Sequence, residues 1–256
     1  MRVAPRLAAV TGCAWLLGWS HVQAPTLKLG ERVVPFEFTH WNDTAVPVVI
    51  SMHANETTAR EVTRELLATQ PGRFVGIQAS GEPRRLALRP GEDRASIDPN
   101  RMFSMEGIAL DLPRGGPARE GDAALIDAFA KSYLATFIGS AKLVVAVHNN
   151  TEGAYSILSY RPGGSEAAAT GELNVVENQD PDDFFLVTDR RHYDALRQKG
   201  YNVVLQSNDA PDDGSLSVYA ARHGITYVNV EAQQGANARQ AAMMKDLWAI
   251  LLGAPR

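Results

Sequence analysis

Cysteine is nearly missing from this 256-residue chain: Cys13 is the only one, and it lies in an apolar stretch close to the start. With that stretch removed the chain has no thiol, so disulfides, thiolate metal sites and cysteine nucleophiles are excluded together. An excess of one charge is missing too. There are 25 Lys and Arg against 29 Asp and Glu, a formal net charge of -4, which excludes a general nucleic-acid binder. No apolar run reaches the about 20 residues of a lasting transmembrane helix. Dinucleotide-type Gly-x-Gly-x-x-Gly, phosphate-binding-loop and Gly-x-Ser-x-Gly patterns are all missing, which argues against nucleotide cofactors and serine hydrolysis. What is present is ordinary globular usage, 45% hydrophobic and 21% charged, and it describes one compact domain.

Arg2 and Arg6 flank the start of an apolar stretch, Leu7 to Trp19, and a polar stretch from Ser20 to Gln23 follows. This is the layout of a signal peptide over residues 1–24. It predicts a secreted or periplasmic protein with no transmembrane segment in its mature form. Cleavage after Val22-Gln23-Ala24 would put Pro25 behind the cut, and Gly18-Trp19-Ser20 is the other option. Val10-Thr11-Gly12-Cys13 also reads as a lipidation box on Cys13.

Residues 25–45 read as an irregular lead-in, and residues 46–256 as the functional domain. From residue 46 short β-rich runs alternate with amphipathic runs, the signature of an α/β layer fold. Val46 to Met52, Lys142 to Val147, Phe184 to Thr188, Val203 to Gln206 and Ile225 to Val230 read as strands. Arg73 to Ala79 and Leu86 to Arg89 read as an antiparallel pair across a Gly-Glu-Pro turn, and Tyr155 to Tyr160 as an edge strand. Helical spacing marks Glu56 to Thr69, Ala123 to Ile138, Arg190 to Lys199, Ser215 to His223 and Ala238 to Leu252. The expected fold is a single mixed, mostly parallel sheet of about eight strands with helices on both faces.

Open α/β sheets bind ligands at the carboxyl ends of their strands. Three groups sit there: His53 to Glu56 after the first strong strand, His148 after a fully apolar one, and Glu231 after another. Two imidazoles and a carboxylate make a catalytic zinc set that leaves a position open for water, so His53, Glu56 and His148 are the candidate Zn2+ ligands. Glu231 is then available for proton transfer. Taken alone, His53 and Glu56 also fit a turn histidine and a helix-start carboxylate, and His148 fits a buried strand-end histidine. The acidic loops at Asp180 to Asp183 and Asp209 to Asp213 read as turns and caps.

Asp98-Pro99-Asn100-Arg101 adds the context. With it the chain from about Val46 onward resembles the zinc carboxypeptidase superfamily, including its succinylglutamate desuccinylase and aspartoacylase branch. The carrying residues are His53-x-x-Glu56, Asp98-x-Asn100-Arg101, His148 and Glu231, in that order and spacing. The resemblance implies His53, Glu56 and His148 on zinc, Asp98 behind His53, Asn100 and Arg101 on a substrate carboxylate, and Glu231 as general base and acid. Those roles suit the residue types: an acidic partner fixes the histidine tautomer, and an arginine fork grips a carboxylate at two points.

The family also uses an arginine upstream of Asn-Arg at the oxyanion. Arg84, Arg85, Arg89 and Arg94 compete for that role, and Arg85 is favoured. It commonly uses a mobile tyrosine as well, for which Tyr155, Tyr160 and Tyr219 are candidates and Tyr219 is favoured. The implied activity is hydrolysis of an amide bond beside a free carboxylate in a peptide or cell-wall peptide. An N-acyl amino acid deacylase of the same superfamily and a non-catalytic exported binding protein are the competing readings.

Overall fold

A computed structural model describes residues 25–40, 47–78, 84–89, 95–139, 141–153 and 155–253. The leader-like segment with Cys13, the Gly-Glu-Pro turn and Arg94 lie outside the described residues. In chain order the strands are β1 (Leu27–Leu29), β2 (Arg32–Val34), β3 (Phe36–Thr39), β4 (Val48–Ser51), β5 (Arg73–Ile77), β6 (Leu86–Ala87) and β7 (Ser96–Ile97). They continue with β8 (Leu143–Asn150), β9 (Thr170–Asn174), β10 (Phe184–Val187), β11 (Asn202–Gln206) and β12 (Thr226–Gln233). The α-helices are α1 (Thr57–Leu67), α2 (Met105–Asp111), α3 (Asp122–Tyr133), α4 (Arg190–Gln198), α5 (Leu216–Arg222) and α6 (Asn237–Leu251).

Eight strands form one mixed sheet in the order β3-β5-β4-β8-β12-β10-β11-β9. The four pairings β5-β4, β4-β8, β8-β12 and β10-β11 are parallel; the other three are antiparallel. The apolar run of β8 is buried on both faces, as a central parallel strand requires. Its residues alternate between two cores. Val144 and Ala146 join Ile50, Val75, Phe129 and Tyr133 on one face; Val145 and Val147 join Val49, Phe74, Leu196 and Trp248 on the other. Helices α2, α3 and α5 thus cover the first face, and α1, α4 and α6 the second. Removing one of the largest buried rings, as in Phe129→Ala, is expected to cost about 3 to 5 kcal/mol.

Strand β4 leads through α1 to β5 on one side, and the chain later returns to β8 on the other side of β4. The order of connection therefore reverses between β4 and β8. At such a point two strand ends diverge and leave a crevice at their carboxyl ends.

The expected sheet is observed, with several local differences. The lead-in carries three strands over its described part, and β3 adds Phe36 and Phe38 to the aromatic cluster around Phe137. The expected hairpin of Arg73 to Ala79 with Leu86 to Arg89 does not form. Both edges of β5 are taken, by β3 and β4, so β6 pairs with β7 instead. Tyr155 to Tyr160 is not an edge strand: Ser156 caps a 3-10 turn at Ile157–Tyr160, which tucks both tyrosine rings against Phe184. The edge is β9. Helix α2, seven residues with Gly107 inside it and Pro113 just beyond its end, shows no helical run in the sequence and is capped by Ser104. Gly107 lets it lie directly on the backbone of Gly214, where any Cβ would collide. Gly214 itself has φ +75°, so neither position tolerates a larger residue without strain.

Candidate metal centre and active site

His53 follows β4 and Glu56 is the residue before α1, so the strand-to-helix turn brings both to the crevice. His148 lies near the end of β8, on the adjacent side of that crevice. All three are buried, at 0%, 1% and 3% exposure. Glu56 takes one imidazole on each oxygen: His53 Nδ1 donates to Oε1 at 2.8 Å and His148 Nδ1 to Oε2 at 3.0 Å. Behind the first ring, His53 Nε2 donates to Asp98 Oδ1 at 2.9 Å. Asp98 is held there by its own turn, since the same oxygen accepts from the Asn100 backbone N at 2.8 Å.

The electrostatics of this set are those of a site that wants a cation. Burial opposes charge on His53, yet the Glu56 and Asp98 carboxylates outweigh it and push the imidazole up to about 9. Burial likewise opposes charge on Glu56, and the two imidazoles overcome it and pull the carboxyl down to about 2. Asp98 is also depressed: burial opposes its charge, and the His53 hydrogen bond and charge, together with Arg84, win. His53 thus stands between the buried Glu56 carboxylate and the partly buried one of Asp98, each accepting from one ring nitrogen. One ligand atom from each of His53, Glu56 and His148 lies within 4.8 Å of the others. A divalent cation in place of the protons on the two Nδ1 atoms satisfies the same three groups and leaves His53 neutral, with its Nε2–H still on Asp98. The residues fit a zinc ion of the two-His, one-Glu kind.

Glu231 approaches from the next strand. It is the register partner of His148 across β8 and β12, so the two side chains rise side by side from one face of the sheet. Asn229, two residues earlier on that face, donates to Glu231 Oε1 at 3.2 Å. Burial pushes the Glu231 carboxyl up; His148, Asn229 and Arg84 pull it back, and Glu56 adds to the rise. A carboxylate raised in this way is suited to taking up and returning a proton.

His148, Asn229 and Glu231 line a cavity of about 480 Å³ together with Arg84, Asn100 and Arg101. Asn100 Oδ1 accepts from the Leu216 backbone N at 3.0 Å, which leaves its amide NH2 for the cavity. Arg101 uses Nη1 for the Asn100 carbonyl, at 2.9 Å, and for Asp213 Oδ2, at 3.2 Å; its other nitrogens carry no such contact among the described residues.

Two expected residues are elsewhere. Arg85 is not in the cavity lining: both its terminal nitrogens are bound to Asp111 and its Nε to Ser96 Oγ, a full set of partners in a partly buried loop junction. The neighbouring Arg84 holds the place instead, with Nη1 at 3.2 Å from Glu56 Oε1 and Nε at 3.5 Å from Asp98 Oδ2. Arg89 is bound to Asp122. Tyr219 stacks on His223 and tilts against Phe103, beside a separate cavity of about 280 Å³. Tyr155 and Tyr160 line the large cavity, their hydroxyls bonded to each other. Sequence reasoning missed Asn229, Glu166 and Asp213 as cavity residues. Only Asn229 had a signal, its spacing of two from Glu231 on a strand.

No family model matches the chain, and neither does any curated protein. Solved structures are similar to it. One is a candidate metallopeptidase from Shewanella amazonensis SB2B, 12% identical, with 89% of this chain and 86% of that one covered at a TM-score of 0.43. Another is a candidate succinylglutamate desuccinylase/aspartoacylase from Shewanella frigidimarina NCIMB 400, 13% identical, covering 89% and 70% at a TM-score of 0.44. A third is a bacteriophage poly-gamma-glutamate hydrolase, 12% identical, covering 87% and 92% at a TM-score of 0.38. Among the described residues no helix is long and apolar enough to cross a membrane.

Proposed function

We propose that the chain is a zinc-dependent hydrolase of the carboxypeptidase type, cleaving an amide bond beside a free carboxylate. The observation that carries this reading is the buried cluster of His53, Glu56 and His148, with Asp98 behind it and Glu231 on the adjoining strand. Those three residues would hold the metal, which when bound supplies a Lewis acid for the scissile carbonyl and for the attacking water.

The chain's own residues do the rest. Arg101, through its unused nitrogens, and the Asn100 amide grip the substrate carboxylate and so fix the scissile bond beside Glu231. Glu231 accepts the proton of the attacking water and delivers it to the leaving amine nitrogen, so one carboxylate serves as base and then as acid. Its burial keeps the proton affinity high enough for the second step. Arg84, about half exposed at the cavity wall, offers its guanidinium to the negative charge that develops on the carbonyl oxygen. The leader-like segment supports export, and with it a peptide or a cell-wall stem peptide as substrate.

The test is a screen of the purified protein against peptides, muropeptides and N-acyl amino acids, each as free acid and as C-terminal amide, with and without chelator. The expected result is chelator-sensitive release of a free-acid residue and little turnover of the amides. Equal cleavage of acids and amides would contradict the carboxylate-anchored reading.

A further inference from the structure

The four groups of the proposed site come from three places: His53 and Glu56 from the turn between β4 and α1, His148 from β8 and Glu231 from β12. Pairing of β8 with β12 sets the last two side by side, but no strand ladder reaches Glu56, which precedes a helix. A residue in that position ordinarily turns its side chain back to accept from the second or third backbone N–H of its own helix. Glu56 makes no such bond, because its two oxygens are turned to the imidazoles. The third N–H of α1, that of Ala59, has an acceptor all the same: Asn149 Oδ1 of β8, at 2.9 Å.

Asn149 is the neighbour of His148, but by the alternation of the strand it follows Val145 and Val147 toward the core under α1 and α6. That pattern calls for an apolar residue, and a buried amide there is costly unless its polar atoms are paired. They are. Asn149 Nδ2 donates to the carbonyl of Ala232, the residue after Glu231, at 3.1 Å and to Gln240 Oε1 at 2.9 Å. Gln240, on α6, is 0% exposed and lies outside the lining of the large cavity, and its Nε2 donates to the His148 carbonyl at 3.1 Å. Both ends of this chain of bonds have a fixed sense, since a carbonyl only accepts and a backbone N–H only donates. With Gln240 Nε2 on the His148 carbonyl, its Oε1 must face Asn149 Nδ2, and Asn149 Oδ1 must then face Ala59. The two amides thus bond to His148 itself, to the residue after Glu231 and to the third residue after Glu56.

We infer that Gln240 and Asn149 are positioning residues for the metal ligands: they cap α1 in place of Glu56, which leaves the Glu56 carboxylate free for the metal and holds it at a set distance from His148. Without the bond from Asn149, the Ala59 N–H draws the Glu56 carboxylate back onto its own helix and away from the two imidazoles. This deepens the hydrolase reading and rests on its assignment of His53, Glu56 and His148 as ligands.

The test is the zinc dissociation constant of the purified full-length protein, stripped of metal and titrated with zinc against a chelating dye, measured beside its melting temperature. Gln240→Met keeps the length of the side chain and removes both of its bonds. Zinc is expected to bind about ten- to a hundredfold more weakly, the range for losing a group that orients a ligand. Asn149→Ala, which removes the cap itself, is expected to lose at least as much and gives a second reading should Gln240→Met fail to fold. The double variant should lose less than the two losses combined, since both break one chain of bonds. Leu196→Ala, in the same core and 0% exposed, is the control: it should lower the melting temperature and leave zinc affinity unchanged. Zinc affinity untouched in both variants, fully additive losses in the double variant, or an equal loss in Leu196→Ala would overturn the inference and leave the hydrolase reading standing. Weakened zinc binding in the variants of a protein that hydrolyses none of the substrates would uphold the inference and overturn the hydrolase reading. An unaltered protein that binds no zinc would overturn both.

Discussion

The two ends of the cavity are built differently. At the metal end, His53, Glu56, His148 and Glu231 stand on or beside strand ends, none more than 6% exposed, and the histidines and Glu56 are tied to one another by hydrogen bonds. At the substrate end, Arg101, Asp213, Glu166 and Tyr160 come from turns distant in sequence, and the Arg101 and Asp213 side chains are 32% and 38% exposed. In the proposed reading the chemistry falls to elements whose geometry the sheet register sets, and recognition to turns and loops with more exposed side chains. Proton transfer tolerates little displacement, whereas a carboxylate anchor must admit and release its ligand.

The sharpest way to break this comparison is at the metal end. Glu231→Gln keeps shape and burial but removes the proton acceptor, and kcat is expected to fall about 10²- to 10⁴-fold with zinc content unchanged. Turnover near that of the unaltered protein would move the base to another residue. At the substrate end the loss is smaller. Arg101→Met is expected to cost about ten- to a hundredfold in kcat/KM on free-acid substrates, and C-terminal amidation of the substrate a similar factor in the unaltered protein. The two changes remove one contact, so they should not add; additive losses would show that Arg101 acts on something other than the carboxylate.

The smallest expected effect is on stability against pH in the metal-free protein. His53 is raised from 6.5 to about 9, so the stability it contributes is complete below pH 6.5 and is lost as pH rises through 9. Glu56 is lowered from 4.5 to about 2, so its contribution is complete above pH 4.5 and is lost as pH falls through 2. The melting temperature should therefore be highest between pH 4.5 and 6.5 and decline on both sides. Zinc should abolish the alkaline decline, because the metal replaces the proton on His53 Nδ1. An alkaline limb equally steep with and without zinc would show that His53 is not a ligand.

The same contrast decides what could be read in the sequence. Strand ends are local: the apolar run Leu143 to Val147 followed by His148 announces its own position, and so does Val228 to Val230 followed by Glu231. The register that sets His148 beside Glu231 follows from parallel pairing of two such strands. Arg84 and Arg85 show the limit. They are adjacent and chemically equal, and the choice between them is made by Asp111, on a helix the sequence pattern did not reveal. Asp213 pairs with Arg101 beside the close contact of Gly107 with Gly214, and Glu166 joins the same cavity after the 3-10 turn that follows β8. The family resemblance favours Tyr219, but its ring stacks on His223 and tilts against Phe103, away from the large cavity's lining.

The central claim, a zinc held by two histidines and a glutamate at the β4–β8 crevice, is tested most directly by elemental analysis of protein purified without added metal. The account predicts one zinc per chain in the unaltered protein. In His148→Ala it predicts the loss of nearly all of it, with the circular dichroism spectrum preserved, because the sheet and its two cores do not depend on the metal. Full zinc occupancy in His148→Ala, or no tightly held metal in the unaltered protein, would contradict it.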